Sequence, residues 1–423
     1  MITDAAPVRF DSESARRAAL RQYSVTSLDS FGGFSKNETT ALGVLLDYIA
    51  LTQKQQVKLL QPPRIASLSG VMGIDAATRR NLELTQSLDG GRKGSLLHAI
   101  DRTLTHAGAR LLAEQLSSPL TDLPAIHARL ERVDCFVQHN DWRDALRGKL
   151  KSLPDLPRAL TRLSLGRGSP RDLAIVRFSM ECATQLRFFL HTQAHHLPQD
   201  LKNLADILGE HSSLIDTLTR ALKPELPMLA RDGGFIAPNY SPALDELVSL
   251  RDDSKKLIAG LQSQYVQKTG VNTLKIRHNN VIGYHIEITP SQADKLMQPP
   301  LNQEFIHRQT LSSAVRFTTG ELAELERKTS EAGDKALQIE LQLFEELVHK
   351  TLQRFETLRS AADAMAQLDV ATALAELAHD ANWCKPVNDS SATGHIQKGR
   401  HPVVEASLRA RGENFIANDC DLS

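Results

Sequence analysis

The sequence is poor in cysteine and has no long apolar run. Its four cysteines, Cys135, Cys182, Cys384 and Cys420, lie far apart in the 423 residues and form no CxxC pair. This spacing argues against a zinc site and against a disulfide framework, and it fits a reducing compartment. No apolar run approaches the ~18 residues of a membrane span, and the first residues lack the apolar core of a secretory signal. We therefore expect a cytoplasmic protein without a membrane partner.

Neither sign of charge is in excess, and aromatic side chains are few. The 50 Lys and Arg residues balance 50 Asp and Glu residues, so no global field draws the chain to a polyanion. Any binding of nucleic acid must come from a local patch. Aromatic residues are only 5% of the sequence, and abundant Leu and Ala favour packed helices over a β-sandwich. The length exceeds one ordinary domain, so two or more are expected.

The sequence does contain a succession of helical patterns. An apolar stripe with helical spacing begins at Thr40, Asp75 and Ser95 suit helix N-caps, and Pro119 predicts the end of a helix. Loops between the later helices carry Pro or Gly. The segments that predict these helices are LPAIHARLERVDCFVQ, LPRALTRLSLG, SPRDLAIVRFSMECATQLRFFL and HSSLIDTLTRAL. The fold class is therefore predicted to be mainly α, with a helical core bundle.

Two longer helical patterns flank one segment that is not helical. The first, from Pro242 to Tyr265, repeats Leu and Ile at helical spacing over roughly 40 Å. The second begins at Gly320 and has a near-heptad apolar stripe. We interpret the two as antiparallel arms. ETLRSAADAMAQLDVATALAELAHD then predicts one long helix or a pair, and the last residues, from 394 onward, are interpreted as strand, turn and strand.

A cationic hairpin lies between the two arms. In TLKIRHNNVIGYHIEITP, residues 273–290, apolar and polar residues alternate on both sides of an Asn-containing turn. Charged and amide side chains of this kind suit phosphate oxygens, and the scarcity of aromatics favours a duplex backbone over stacked single strands. The alternative is a solvated hairpin whose charges keep an edge soluble. The candidate DNA-contacting residues are Lys275, Arg277, His278, Asn279, Asn280, Arg308 and Arg316.

Several long motifs resemble one family, in that family's order. GIDAATRRNLELTQSLDGGRKGSLLHAIDRTLTHAGARLLAEQLSSPL, VNTLKIRHNNVIGYHIEIT, RQTLSSAVRFTTGELAELERK and GRHPVVEASLRARGENFIAN are similar to the core region of the MutS DNA mismatch-repair family. The similarity runs through nearly the whole chain. It implies a mainly α core with two lever helices, which carry a small β-containing clamp lobe, followed by the first strands of an α/β ATPase domain.

The resemblance also implies domain limits. Residues 1–44 would end a connector domain, residues 45–254 and 320–383 would form the core and levers, 255–319 the clamp, and 384–423 the start of the ATPase domain. In this family, two clamps of a dimer close around duplex DNA and touch its backbone without reading sequence. The partners implied are double-stranded and mismatched DNA, a second MutS subunit and a MutL-type repair protein, in a bacterial, nucleoid-associated setting.

The segment NFIAN resembles the part of the ATPase domain that contacts adenine. Phe415, Ile416 and Asn418 would then pack on or hydrogen-bond the base; without the resemblance, Phe415 and Ile416 suit an ordinary strand core. The intact family member is a DNA-dependent ATPase that uses ATP with magnesium. No G-x-x-x-x-G-K-[ST] loop occurs in these residues. We therefore expect neither tight nucleotide binding nor ATP hydrolysis by this chain alone, and we expect no metal ligands or catalytic residues.

Two other functions remain open at this stage. One is a helical scaffold whose arms and tip bind another protein, with no role on DNA. The other is a relative of the same family that clamps junctions in recombination instead of mismatches. Binding to homoduplex, mismatched duplex and four-way junction would distinguish the three.

Overall fold

A computed structural model describes residues 10–23, 25, 27–28, 31, 34–52, 60, 63, 70–279, 282–391 and 393–422. The chain divides into two compact units, Met1–Asp216 with Lys350–Ser423 and Thr217–His349. Most described residues are helical, and a small antiparallel sheet lies in the second unit. The predicted fold class is confirmed. The units are defined by contacts within the chain and do not test the predicted domain limits, which stay a prediction.

The first unit is built mainly of helices. Several of them begin where a side chain accepts a backbone N–H of the first turn, and Asp75 and Ser95 do so as predicted. The helices are α1 Ser12–Tyr23, α2 Lys36–Thr52, α3 Ala76–Asn81, α4 Leu96–Ile100, α5 His106–Ser117, α6 Leu123–Gln138, α7 Asn140–Leu150, α8 Leu156–Ser164, α9 Pro170–Thr192, α10 Gln199–Ile207 and α11 Ser212–Ala221, which runs five residues into the second unit.

Helix α15, Phe355–Ala381, organises the core of this unit. It is apolar on most of its circumference and rich in alanine, so that α5, α6, α7, α9 and α10 all pack against it. The sequence left open whether this segment is one helix or two, and the structure shows one. It ends at Asn382, which adopts the left-handed conformation with φ 52°.

The tail of the first unit corrects the predicted strand, turn and strand. It contains β5 His395–Gly399, α16 Pro402–Ala410 and β6 Asn418–Asp421, with β5 and β6 antiparallel. The helix was not predicted because nine residues with Pro at the start show little periodicity. Arg400 donates hydrogen bonds to the carbonyls of Ala381 and Asn382, at 2.7 and 3.0 Å, and so joins the tail to the end of α15.

The second unit carries the sheet between two long helices. Helix α12, Pro242–Thr269, leads into it and α14, Gly320–Leu352, leads out and ends three residues past the unit. The sheet order is β1-β2-β4-β3, with every neighbouring pair antiparallel. Between the helices lie β1 Lys275–Asn279, β2 Gly283–Ile288, α13 Pro290–Met297, β3 Ile306–Thr310 and β4 Val315–Thr318.

The two long helices of this unit run antiparallel, as the sequence predicts. Near the sheet, the Tyr265 hydroxyl lies 2.7 Å from the Thr319 Oγ1. Farther along, the Arg251 side chain lies beside Gly333. The C-terminal part of α12 and the first turn of α14 also share the hydrophobic core of the sheet, which includes Ile258, Leu261, Tyr265, Leu274, Ile286, Phe305, Phe317 and Leu322. We call the four-stranded sheet, α13 and these two helix ends the lobe. The lobe is a packed structure with its own core.

Several elements differ from the sequence-based expectations. The predicted hairpin is present, but its first strand runs two residues beyond Arg277, to Asn279, and its second strand pairs with β4 of a second hairpin. Helix α2 begins at Lys36, four residues before the predicted start, because Ser35 and Glu38 form a capping box. The helices α1, α7, α10 and α13 were not predicted. Each is short and depends on tertiary packing.

Candidate nucleic-acid interface

The sheet separates its side chains into an apolar face and a charged face. Ile276 pairs with Ile286, which pairs with Phe317; the last two belong to the core cluster, and Ile276 packs against it. Side chains alternate along a strand, so the intervening residues point to the opposite face. We call this opposite side the charged face; it carries Lys275, Arg277, Asn279, His285, Glu287, Gln309 and Arg316.

Three of the predicted cations meet on the charged face around one carboxylate. Lys275 lies directly across the ladder from Glu287, and Arg316 lies across from Glu287 on the other side. The Arg277 Nε is 3.2 Å from the Glu287 Oε1, and the Arg316 Nε is 3.4 Å from Oε2. The Arg316 Nη1 also donates to the Gln309 Oε1 at 3.1 Å. The face therefore combines three cations with one partly buried anion.

Lys275 and Arg308 are the cations most available to a ligand. Both are exposed, and neither has an ion pair within the described residues of the lobe. Arg308 occupies an irregularity in β3, where the register shifts between His307 and Gln309. Such a bulge turns a side chain away from strict alternation. Arg308 therefore need not belong to either face of the sheet.

His278 and Asn279 are placed differently from the charged cluster. His278 pairs with Tyr284, and their rings are 4.8 Å apart, on the side of the sheet opposite to Lys275. The Asn279 Oδ1 accepts the N–H of Ile282 at 2.9 Å, which shapes the hairpin turn. Asn280 lies outside the described residues. The structure thus brings Lys275, Arg277 and Arg316 together, but not His278 with them.

Two residues that shape this site were not singled out from the sequence. Glu287 lies two positions from His285 in an alternating strand, so the sequence could place it on the same face as His285, and the strand register then brings it beside the cations. Gly283 has φ +69° and lies against Glu326 of α14, where a Cβ would come 1.3 Å from the Glu326 Oε1. The close approach of Glu326 explains why glycine occupies this position. No local sequence pattern predicts this contact.

The residues expected near a nucleotide base lie outside any strand core. Phe415 and Ile416 precede β6, and Ile416 is 82% exposed. The strand-core interpretation is therefore wrong for Ile416. The Asn418 Nδ2 donates to the Ile416 carbonyl at 3.2 Å. A role of Phe415, Ile416 and Asn418 in contacting adenine stays a prediction, as does the use of ATP with magnesium.

The described residues also bear on metal binding and on membrane insertion. Within these ranges, no group of three or more His, Cys, Asp or Glu side chains is arranged to hold a metal ion. In the same part of the chain, no helix combines the length and apolar character needed to cross a bilayer.

Comparisons with known proteins identify the family. The family model for MutS domain III matches residues 77–375. The chain is 48% identical over 423 residues to the DNA mismatch repair protein MutS of Ruegeria pomeroyi, covering 100% of this chain and 48% of that protein. It is 47% identical over 414 residues to MutS of Paracoccus denitrificans, covering 98% of this chain and 47% of the relative. The chain thus spans about half the length of these relatives. The family model covers most of the chain, and the Ruegeria pomeroyi protein matches its full length. The chain therefore belongs to the MutS DNA mismatch-repair family.

Proposed function

We propose that the charged face of the lobe, together with the exposed Arg308, binds the sugar-phosphate backbone of duplex DNA during mismatch repair. The observation that carries this proposal is the grouping of Lys275, Arg277 and Arg316 on one face of a sheet whose other face is a packed core. Long cationic side chains suit phosphate oxygens, which carry no sequence information. The contact is therefore expected to be independent of sequence.

The structure around the lobe supports a mechanical role in the longer protein. Helices α12 and α14 both enter the lobe core, so a movement of either helix is transmitted to the sheet. In the proposed cycle, mismatch binding and nucleotide exchange shift these helices between two arrangements, and the lobe closes on DNA in one of them. A ligand shifts such an equilibrium only by its differential affinity for the two states.

The wider setting of this function is also part of the proposal. Relatives of about twice this length are named as DNA mismatch repair proteins, and we propose the same process for the protein that contains this chain. Its partners would be double-stranded and mismatched DNA, a second MutS subunit that supplies another lobe, and a MutL-type protein. ATP with magnesium would be its cofactor, with Phe415, Ile416 and Asn418 beside the adenine, and the protein would act at the bacterial nucleoid.

The most direct test reverses Lys275 and Arg308, the two candidate DNA-contacting cations for which the described residues provide no ion pair. We expect Lys275→Glu combined with Arg308→Glu to weaken homoduplex binding about tenfold or more at low salt. Because each lost phosphate contact removes about 0.9 from the slope of log Kd against log salt, the slope should fall by about 2. Fluorescence anisotropy over a salt series measures both quantities on the 423-residue chain.

A matched control has the same kind of charge reversal away from the lobe. Lys335 lies at an exposed position of α14. The substitution Lys335→Glu should leave Kd and the salt slope nearly unchanged. Equal losses in both variants would mean that only overall charge matters. An unchanged slope in the lobe variant would contradict the proposal.

Parallel titrations with mismatched duplex and four-way junction distinguish a mismatch-repair role from a junction-binding one. No binding to homoduplex, mismatched duplex or junction would favour a protein scaffold.

A further inference from the structure

We propose that Glu287 is a built-in competitor of DNA phosphate: its carboxylate occupies the guanidinium groups that the backbone needs, and so it limits how tightly the lobe holds duplex. This inference rests on the proposed function and adds a regulatory residue to the same surface. Glu287 carries the only carboxylate that the described strands place on the charged face. It lies between the two arginines and opposite Lys275.

The geometry assigns one carboxylate oxygen to each arginine. Oε1 faces the Arg277 Nε at 3.2 Å, and Oε2 faces the Arg316 Nε at 3.4 Å. Each contact uses the Nε, and neither is the short bidentate pairing that makes Arg–carboxylate bonds strong. The side chain of Arg277 is 57% exposed, whereas those of Arg316 and Glu287 are each 19% exposed. A phosphate from solvent therefore reaches Arg277 first.

The residue beneath the carboxylate does not hold it in place. His285 is buried, and its Nδ1 lies 3.0 Å from the Gly283 carbonyl, to which it donates. Its Nε2 is buried without a hydrogen-bond partner and lies 3.8 Å from the Glu287 Oε2. Within the described residues, the closest cationic contacts of Glu287 are thus with the two arginines that we assign to DNA.

A competitor of this kind has a definite consequence for binding. Exposed ion pairs contribute little to stability, so a phosphate displaces Glu287 from Arg277 at small cost. Arg316 is more enclosed, and its release from Glu287 and Gln309 is harder. The lobe should therefore bind homoduplex weakly and dissociate from it readily. Glu287 keeps the two arginine side chains oriented for the next contact.

The test neutralises Glu287 without changing its shape. We expect Glu287→Gln to tighten homoduplex binding about threefold to tenfold at low salt and to steepen the salt slope by up to about 0.9, as one more phosphate contact forms. The readout is fluorescence anisotropy with a homoduplex probe. Circular dichroism and thermal unfolding check that the lobe remains folded.

A control and a double variant separate local release from a general change of charge. Glu331 pairs with Arg327 at 2.8 Å on α14, so Glu331→Gln removes the same charge from an ion pair elsewhere, where Glu324 still holds the arginine. We expect no comparable gain from it. In an Arg277→Gln, Arg316→Gln background, Glu287→Gln should lose most of its benefit, because the groups that it would release are gone.

The outcomes distinguish this inference from the proposed function. If reversal of Lys275 and Arg308 weakens binding but Glu287→Gln leaves Kd unchanged or weakens it, the lobe still binds DNA and Glu287 is a brace that positions the arginines. If Glu331→Gln tightens binding as much as Glu287→Gln does, the effect is one of net charge and the inference fails. If neither the reversal nor the neutralisation changes binding, both proposals fail.

Discussion

At the scale of single residues, one tight constraint in the first unit is the contact between Gly108 and Asp369. Asp369 of α15 is fully buried and accepts the N–H groups of Leu104 and Thr105 at 2.9 and 2.8 Å. Burial raises the pKa of this carboxyl above its usual value, and the hydrogen bond from the Thr105 hydroxyl opposes that shift. A Cβ on Gly108 would come 2.2 Å from the Asp369 Oδ2. Glycine is required there by space, not by backbone conformation.

We expect Gly108→Ala to destabilise the protein, although alanine is the better helix former. Helix propensity favours alanine by about 1 kcal/mol. Overpacking against a buried, hydrogen-bonded carboxylate costs more, so a net loss of about 1–3 kcal/mol is expected. Urea denaturation followed by circular dichroism measures it. Gly148→Ala is the control, since no atom lies within 4 Å of its added Cβ; it should be neutral or stabilising, and a gain in both variants would refute the steric argument.

At the scale of elements, α14 is attached to a turn by one buried carboxylate. Glu340 is 7% exposed, and its two oxygens accept the N–H groups of Gly234 and Ile236 at 2.6 and 3.1 Å. Gly233 precedes this turn with φ +65°, and a Cβ there would come 2.9 Å from the same carboxylate. The helix and the segment before α12 are thereby joined across about a hundred residues of sequence.

We expect Glu340→Ala to cost about 1–3 kcal/mol, because it leaves the buried N–H of Ile236 and the partly buried N–H of Gly234 without an acceptor. Hydrogen exchange should show lost protection at the amides of Gly234 and Ile236, which localises the effect. Glu345→Ala, at an exposed position of the same helix, is the matched control and should leave those amides protected. Retained protection in the Glu340 variant would show that other contacts hold the turn.

At the scale of the whole molecule, each compact unit has hydrophobic residues that are fully buried within it. Phe317 lies in the core of the lobe and Leu186 lies in α9 of the first unit, each with 0% exposure. Helix α14 joins the two units covalently. We nevertheless expect each core to open separately, because stability varies locally along a chain. A cavity in one core should therefore reduce protection chiefly within its own unit.

We expect Phe317→Ala to cost the second unit about 3–5 kcal/mol. Hydrogen exchange with mass spectrometry should show faster exchange across residues 258–322 and little change in α9. Leu186→Ala provides the reciprocal control, with the loss confined to the first unit. Equal acceleration in both units for either variant would mean that the chain unfolds as a single cooperative body.

Much of this organisation follows from local patterns. Helix α6 matches its predicted segment from Leu123 to Gln138 because Asp122 caps it and its apolar spacing is regular. The hairpin follows from period-two alternation, which also places Lys275 and Arg277 on the same side. The short helices α7 and α10 were not predicted, because helices of about ten residues are marginal by themselves and depend on the packing of buried side chains such as Leu146 and Leu201.

The sequence by itself determined the mainly helical class, the hairpin between two arms, the cationic residues and the family resemblance, because each depends on neighbours along the chain or on long motifs. Only the tertiary structure decided which cations meet. The register of β2 with β4 brings Arg316 beside Arg277 and sets Glu287 between them, and Gly283 fits beneath Glu326. These pairings join residues distant in sequence, and their energies depend on distance and burial that no local pattern encodes.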